Sequence, residues 1–249
     1  MPDLKQPGLI SAVIATLNSA RTLPRTLDSL EPSAGLIAEI VVSDGGSADA
    51  TAAIAESSGA RIVIGEKGRG GQLRRGAAAS SSPWLLFLHA DTALEESWAD
   101  EVRPALADTS QAGAFALRFD AEDWRARVVE SGAMVRSRLF ALPYGDQGLL
   151  ISRKTYDEIG GFRDMLLFED VDLVDRLRAA KGRRALRIFR SHAITSADRY
   201  ADGYARRVLR NFVSLTMYRA GVAPARIARF YERTGGRKLA SGLCARAEL

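Results

Sequence analysis

The sequence predicts an α/β fold in which a mainly parallel sheet is flanked by helices. Short apolar runs alternate with helical patterns through the first half of the chain, and the connections between them are short. Repeated strand-helix units require right-handed crossovers, which place successive strands parallel to one another. The chain has 249 residues, 47% of them hydrophobic. That is enough for a full core in one large domain, with or without a small appendage.

Each element follows from a local pattern. Apolar runs predict strands at 10–15, 39–43, 61–64, 84–88, 113–119 and 147–152. Helical spacing predicts helices at 22–30, 48–57 and 72–80, a mixed helical region at 126–142 and a further helix that opens at Glu169. Pro24 suits the first turn of the first helix. The run 84–88 is continuous and aromatic-rich, which is typical of a strand buried on both faces of a parallel sheet.

The cysteine content and the hydropathy pattern exclude several classes of protein. The one cysteine, Cys244, rules out an internal disulfide framework and a cysteine-rich zinc site. No apolar stretch approaches the ~20 residues that cross a bilayer. Residues 1–8 contain no secretory apolar core. We therefore expect a protein of the cytoplasm.

The net charge of +5 is concentrated near the C-terminus. The basic residues of that segment are Arg206, Arg207, Arg210, Arg219, Arg226, Arg229, Arg233, Arg237 and Lys238. Apolar residues lie between them, which indicates basic amphipathic helix. Such a helix packs on the domain with a solvated basic face, lies on an anionic membrane surface, or binds nucleic acid. We retain the first two alternatives and expect no nucleic acid partner.

Two clusters of acidic residues are candidates for a metal site and a general base. His89 and Asp91 follow the strand 84–88, and residues two apart in an extended segment point the same way. Open α/β sheets bind ligands at this edge, so the pair would coordinate one divalent cation that holds a diphosphate. The alternative is that Asp91 caps a following helix. Glu169 and Asp170 open a later helix and suggest a general base, or merely carboxylates favoured by the helix dipole.

Glycines follow the second strand rather than the first. A dinucleotide-binding domain would carry its glycine-rich turn directly after strand one, where residues 16–19 contain no glycine. Gly45 and Gly46 instead permit a tight turn after the second strand, and we expect Ser47 to cap the next helix. Asp44 has no structural role in this interpretation, which favours it as a hydrogen-bond acceptor for a ligand.

Four motifs in order resemble a known family: ATLN at 15–18, VVSDGGSADAT at 41–51, LHAD at 88–91 and ED at 169–170. Together they are similar to a family 2 glycosyltransferase of the GT-A fold, over residues 10–200. GRGGQ at 68–72 and YGDQG at 144–148 further resemble a bacterial subgroup of small single-domain members. The resemblance implies a donor site in residues 1–92, an acceptor half in 93–200 and a basic helical extension in 201–249.

The resemblance assigns a donor site to particular residues. Those at the nucleotide sugar are Thr16, Leu17, Asn18, Asp44, Gly45, Arg69, Gln72, Ala90 and Arg199. Asp44 would accept from the base, with uracil N3 expected, and Arg69 would lie near the ribose or phosphates. Asp91 would coordinate Mn²⁺ or Mg²⁺ through the diphosphate and so stabilise the leaving group. The family has aspartate where His89 stands, so His89 binds the metal, reaches phosphate through water, or only packs.

The resemblance also implies the catalytic residues. Asp170 is the first choice for the general base of an inverting transfer and Glu169 the second. Asp146 and Gln147 would lie on the acceptor side, although a plain turn explains residues 143–146 as well. The expected function is metal-dependent transfer of one sugar from a nucleotide-diphosphate sugar, with UDP expected. The acceptor is a hydroxyl, with a lipid or a membrane glycan as a candidate.

Two alternatives to a glycosyltransferase stay open. A sugar nucleotidyltransferase shares the parallel sheet, but it normally carries a loop rich in glycine and arginine after strand one, which this chain lacks. A non-catalytic nucleotide-binding or membrane-surface protein would instead use the basic C-terminal helices as its working part. Inversion rests on the family resemblance alone, and the sequence does not indicate an oligomeric state.

Overall fold

The structure is a computed structural model that describes residues 8–33, 35–165, 167–200 and 203–235, without the side chain of Arg199. Its centre is an eight-stranded sheet. The strands are β1 (Ile10–Thr16), β2 (Ile37–Asp44), β3 (Arg61–Ile64), β4 (Trp84–His89), β5 (Thr92–Leu94), β6 (Ala112–Phe119), β7 (Leu149–Ser152) and β8 (Leu186–Thr195). The α-helices are α1 (Leu23–Asp28), α2 (Thr51–Ser57), α3 (Arg69–Ala79), α4 (Trp98–Val102), α5 (Trp124–Phe140), α6 (Arg153–Glu158), α7 (Glu169–Lys181), α8 (Tyr204–Arg219) and α9 (Pro224–Arg233).

The sheet is mainly parallel, as the sequence predicts. The strand order is β3-β2-β1-β4-β7-β6-β8-β5. β1 pairs in parallel with both β2 and β4, and β2 pairs in parallel with β3. β7 and β5 run against their neighbours. The carboxyl ends of β1, β2 and β4 therefore meet at one edge of the sheet, where Thr16 is the register partner of Asp44 and Ala15 that of His89.

Apolar side chains cover both faces of the sheet. On one face Trp98 meets the ring of Phe115 edge-on, with 6.5 Å between centroids. On the other face Phe87 contacts Phe162, with 4.9 Å between centroids. Every residue of β4 is buried. This confirms the expectation, from its unbroken apolar run, that the strand is enclosed on both sides.

The predicted strands all form, but several begin or end one or two residues away from the predicted bounds, and one predicted helix cap is absent. Residues 145–147 form a 3₁₀ turn, and Gly148 has a φ of +63°, so β7 begins only at Leu149. The expectation that Ser47 caps a helix is wrong. α2 starts at Thr51, and the Ser47 hydroxyl donates to Asp44 instead. β5 and β8 were not predicted.

The C-terminal segment forms two helices, α8 and α9, as its spacing predicts. The face assignment differs, because α8 buries Arg210 and exposes Leu209 and Phe212. No helix in the described ranges has the length and apolar character needed to cross a membrane. Arg237, Lys238 and Cys244 lie outside the described residues.

Candidate functional site

A buried carboxylate organises the turn after β2. The oxygens of Asp44 accept hydrogen bonds from the Thr16 hydroxyl at 2.8 Å, the Ser47 hydroxyl at 2.5 Å, and the N–H groups of Gly46 and Ser47 at 2.9 and 2.7 Å. Burial opposes ionisation, but the bonds from Ser47 and its neighbours outweigh burial and hold the pKa of Asp44 below its usual value. These four donors fill the acceptor sites of a carboxylate. A ligand would therefore bind Asp44 by turning one hydroxyl away.

The same hydrogen bonds predict an acid-sensitive contribution to stability. Because the folded-state pKa of Asp44 is lowered from 3.8, its ionised form stabilises the fold above that pH. The contribution is lost as pH falls through the folded-state pKa. We expect the difference in free energy of unfolding between the parent and Asp44→Asn to shrink from pH 7 toward pH 3. Urea titrations at several pH values measure it.

The exposed carboxylate of Asp28 on α1 provides the matched control. Asp28→Asn should follow the parent across the same pH range. If the difference in free energy of unfolding between the parent and Asp44→Asn stays constant with pH, ionisation of Asp44 does not contribute to stability.

Asn18 and Gln72 join the turn after β1 to the turn after β2. The Asn18 side chain accepts from the Ala48 N–H, and its own N–H donates to the Ser47 hydroxyl, both at 2.8 Å. The Gln72 amide on α3 donates to the backbone carbonyls of Thr16 and Ser43 at 2.7 and 2.9 Å. Gln72 is buried. Gln72 therefore supports the ends of β1 and β2 from inside the protein, whereas the resemblance places it at the nucleotide sugar.

The other predicted donor residues lie in or beside the same turns. Leu17 is half-buried. The N–H of Gly45, which is buried, donates to the Thr16 carbonyl at 2.9 Å. Ala90 is buried between His89 and Asp91. The side chain of Arg199 lies outside the described part of the chain.

An ion pair joins α3 to α7. Arg69 is bonded to a carboxylate oxygen of Glu169, and its guanidinium also lies 3.4 Å from Nε2 of His89. The Glu169 side chain is only 1% exposed, and its second oxygen is buried without a hydrogen-bond partner. Burial raises the pKa of Glu169, Arg69 opposes that shift, and the charge of Asp170 adds to it. The resemblance places Arg69 near the ribose or phosphates of the donor, and in the structure Arg69 also pairs with Glu169.

Asp170 lies in the wall of a small pocket. Its two oxygens accept from the N–H of Gly145 at 2.6 Å and of Val171 at 2.8 Å. The pocket measures about 20 Å³, and its polar side chains are those of His89, Tyr144, Glu169 and Asp170. A Cβ at position 145 would come within 3.0 Å of His89 Nε2. Glycine therefore lets the turn after α5 close onto the strand end and the acidic pair.

The two residues predicted on the acceptor side, Asp146 and Gln147, differ in how deeply they are buried. Gln147 is fully buried, and its amide donates to the Phe115 carbonyl at 2.9 Å and accepts from the Ser137 hydroxyl at 2.8 Å. Both ends of its amide are therefore engaged inside the protein, whereas the resemblance places Gln147 on the acceptor side. Asp146 is half-buried. Burial of Tyr200 and, to a lesser extent, the charge of Asp146 raise the pKa of Tyr200 to about 12.

Tyr144 and Arg136 are further residues at this site that the sequence does not single out. The Arg136 guanidinium lies over the Tyr144 ring, 3.5 Å from its centroid. Arg136 also donates to the Leu142 carbonyl at 2.9 Å. Tyr144 reaches the pocket, and burial raises its pKa. Tyr144 belongs to the motif at 144–148, but within that motif the sequence favours the charged Asp146 as the functional residue.

The expected metal residues adjoin this pocket on one short segment. His89 ends β4 and lines the pocket, and Asp91 lies in the turn that leads to β5. The Asp91 carbonyl accepts from the Ser196 N–H at 3.1 Å. Within the described ranges no group of three or more His, Cys, Asp or Glu side chains is placed to hold a metal ion.

The turn at Asp44 and the strand end at His89 lie together at the carboxyl edge of the parallel strands, which is the edge at which open α/β sheets bind ligands. The chain belongs to glycosyl transferase family 2, whose profile matches residues 11–165. This confirms the resemblance that the ordered motifs indicate.

Named relatives match part of the chain. A PGL/p-HBAD biosynthesis glycosyltransferase of Mycobacterium tuberculosis is 38% identical over 96 residues, which cover 36% of this chain and 38% of that protein. Glucosyl-3-phosphoglycerate synthase of the same species is 37% identical over 92 residues, which cover 33% of this chain and 28% of that enzyme. Both matches therefore span less than half of the relative.

The fold is also that of a solved structure. A crystal structure of glucosyl-3-phosphoglycerate synthase from Mycobacterium tuberculosis, in complex with Mn²⁺, UDP-glucose and phosphoglyceric acid, superposes with a TM-score of 0.61. The sequences are 21% identical, and the alignment covers 87% of this chain and 81% of that one. A complex of the same enzyme with Mg²⁺ and UDP gives a TM-score of 0.62. This similarity confirms the GT-A fold.

Proposed function

We propose that this chain transfers a single sugar from a nucleotide-diphosphate sugar, with UDP as the expected nucleotide, to an acceptor hydroxyl with inversion. The observation that carries the proposal is the convergence of Asp170 and His89 on one pocket at the sheet edge that also holds Asp44. Family membership supports the reaction class. The UDP and metal complexes of the structurally similar synthase support the nucleotide.

Asp170 is the better candidate for the general base. Inverting transfer needs a carboxylate near the acceptor hydroxyl, on the face opposite the leaving diphosphate. Asp170 is half-buried in the pocket wall, and two backbone N–H groups hold its carboxylate in place. Glu169 is buried and bonded to Arg69. The ion pair through one of its oxygens favours a role in positioning Arg69.

Asp91 would hold Mn²⁺ or Mg²⁺, because a carboxylate is the hard oxygen donor that both ions prefer. With no three-residue cluster in the described part of the chain, the remaining ligands would be diphosphate oxygens and water. The ion, when bound, supplies positive charge to the departing diphosphate. His89 is a less suitable metal ligand, because its Nε2 lies 3.4 Å from the positively charged guanidinium of Arg69. We propose that His89 and Arg69 face the diphosphate together.

The acceptor is proposed only as a class. The pocket beside Asp170 has room for little more than a hydroxyl group, and its wall combines the Tyr144 ring with apolar side chains. We propose that the acceptor places its hydroxyl there and carries a partly apolar body that lies outside the pocket. A lipid-linked acceptor belongs to that class. We also propose that residues 1–92 bind the donor, 93–200 bind the acceptor and 201–249 form an extension.

Calorimetric titration of UDP, GDP and CDP, with and without Mn²⁺, tests the donor half of the proposal. We expect UDP to bind more tightly with Mn²⁺. Asp91→Ala should remove the Mn²⁺ dependence, because it removes the proposed metal ligand. Asp44→Ala should weaken UDP in both conditions, because it removes the base contact and the turn's hydrogen bonds.

Asp100→Ala, at an exposed carboxylate on α4, is the matched control and should bind like the parent. Preference for GDP would keep the reaction class and change the donor. Pyrophosphate release from a sugar phosphate and a nucleoside triphosphate would assign the chain to nucleotidyl transfer instead. Absence of binding by all three nucleotides would overturn the proposal.

A further inference from the structure

One face of α5 carries apolar side chains that point away from the core. The residues that α5 buries are Ala126, Ala133 and Ser137. At 100° per residue, the opposite side carries Trp124, Val128, Val135 and Leu139. All four are exposed, with Trp124 at 69% and Leu139 at 59%. A surface helix normally presents polar residues on this side.

The neighbouring helix α8 repeats the pattern. It contacts α5, and Tyr204 at its start packs in one cluster with Ala126 and Ala133. Its buried residues are Arg210 and Ser214. The opposite side exposes Val208, Leu209 and Phe212, with Phe212 at 65%. We call these seven apolar residues of α5 and α8 the α5–α8 surface.

The two helices are also strongly basic. Their charged residues are Arg125, Arg127, Arg136 and Arg138 with Glu130 on α5, and Arg206, Arg207, Arg210 and Arg219 on α8. Arg125, Arg138 and Arg206 are exposed. An apolar stripe bordered by arginines, with an exposed tryptophan, is typical of helices that lie in the interface of an anionic bilayer.

We propose that the α5–α8 surface docks on an anionic lipid bilayer. The apolar residues would enter the headgroup boundary, and the exposed arginines would face acidic headgroups. Charge favours this partner over a second copy of the chain, since a two-fold contact would bring these arginines against one another. The proposal includes α5, which lies outside the basic segment that the sequence singles out. Lipid binding requires no sugar transfer, so it is tested independently of the proposed reaction.

Tryptophan emission gives a site-specific measurement. The chain has three tryptophans, of which Trp84 and Trp98 are buried and Trp124 is exposed. We expect vesicles of phosphatidylcholine mixed with phosphatidylglycerol to shift the emission to shorter wavelength and to carry the full chain into the pellet. Vesicles of phosphatidylcholine alone should do so far less. Added salt should weaken the binding.

Surface variants and matched controls complete the test. Leu139→Ser with Phe212→Ser, and separately Arg138→Glu with Arg206→Glu, should each weaken vesicle binding about tenfold or more. Ile64→Ser is the apolar control, because Ile64 is 68% exposed on β3. Arg184→Glu is the charge control at another exposed arginine. Both controls should bind vesicles like the parent.

Three results would overturn the proposal. The first is parent protein that stays in the supernatant with anionic vesicles, and the second is equal binding by Leu139→Ser with Phe212→Ser and by the parent. The third is a concentration-dependent dimer, measured by sedimentation velocity, that Leu139→Ser abolishes while vesicle binding is absent. That last result would assign the α5–α8 surface to a second copy of the chain.

Discussion

Asp170→Asn is expected to lower turnover of the nucleotide sugar by about 10²- to 10⁴-fold, the range over which a positioned general base contributes. The amide oxygen can still accept from one backbone N–H, so the side chain keeps its size and much of its position. It cannot take a proton from an acceptor hydroxyl or from water. Nucleotide binding should change little, because the Asp44 turn is a separate part of the edge.

The measurement is release of UDP from a UDP-sugar that the parent protein turns over, to water or to an added acceptor, beside calorimetric binding of UDP. Glu169→Gln provides the sharpest comparison, because it also neutralises a carboxylate in the pocket wall. Its amide can still accept from Arg69, so we expect it to retain most of the turnover. If Glu169→Gln loses turnover and Asp170→Asn keeps it, the two residues exchange roles. If both variants kept the turnover of the parent, neither Glu169 nor Asp170 would be the general base.

The central sheet could be predicted because its strands carry local signals. Each of β1 to β4 contains an apolar run of three or more residues, and helical patterns separate these runs. The short connections leave one handedness of crossover. The position of the site followed from the same logic, since polar residues after β2 and β4 must meet at the carboxyl edge. None of these signals depends on contacts between distant parts of the chain.

β8 could not be predicted, because a distant residue stabilises it. Its register with β6 shifts between Ala114 and Ala116, which is typical of a bulge that leaves backbone donors without strand partners. The Glu101 carboxylate accepts from the N–H groups of Arg190 and Ser191, at 2.8 to 2.9 Å. Residues 186–195 include two arginines and a histidine. They therefore lack the local pattern of a buried strand.

Gln72 and Gln147 show the same limit within the site. Both stand in motifs that the family resemblance connects to ligands, and both turn their amides to backbone carbonyls instead. Sequence places a polar residue near a site but does not show which groups it bonds. The ion pair between Arg69 and Glu169 was missed for this reason, since it joins residues 100 positions apart.

Gly70→Ala is expected to destabilise the fold by about 1–3 kcal/mol or more, the range for overpacking a close contact. A Cβ at position 70 would approach the backbone carbonyl of Arg163 within 3.0 Å and lie 3.2 Å from the Cβ of Glu169. Backbone cannot rotate aside as a flexible side chain can. α3 would therefore have to move away from the segment that leads into α7.

Gly132→Ala is the matched control, because it is the same substitution in a helix where nothing lies within 4 Å of the added Cβ. It should stabilise the fold by roughly 0.5–1 kcal/mol, since alanine has the higher helix propensity. Urea titration of both variants measures the contrast, and equal stability would show that α3 and α7 are not in close contact. Because Arg69 precedes Gly70, separating these helices also separates Arg69 from Glu169. Gly70→Ala should therefore lose turnover even under conditions where it remains folded.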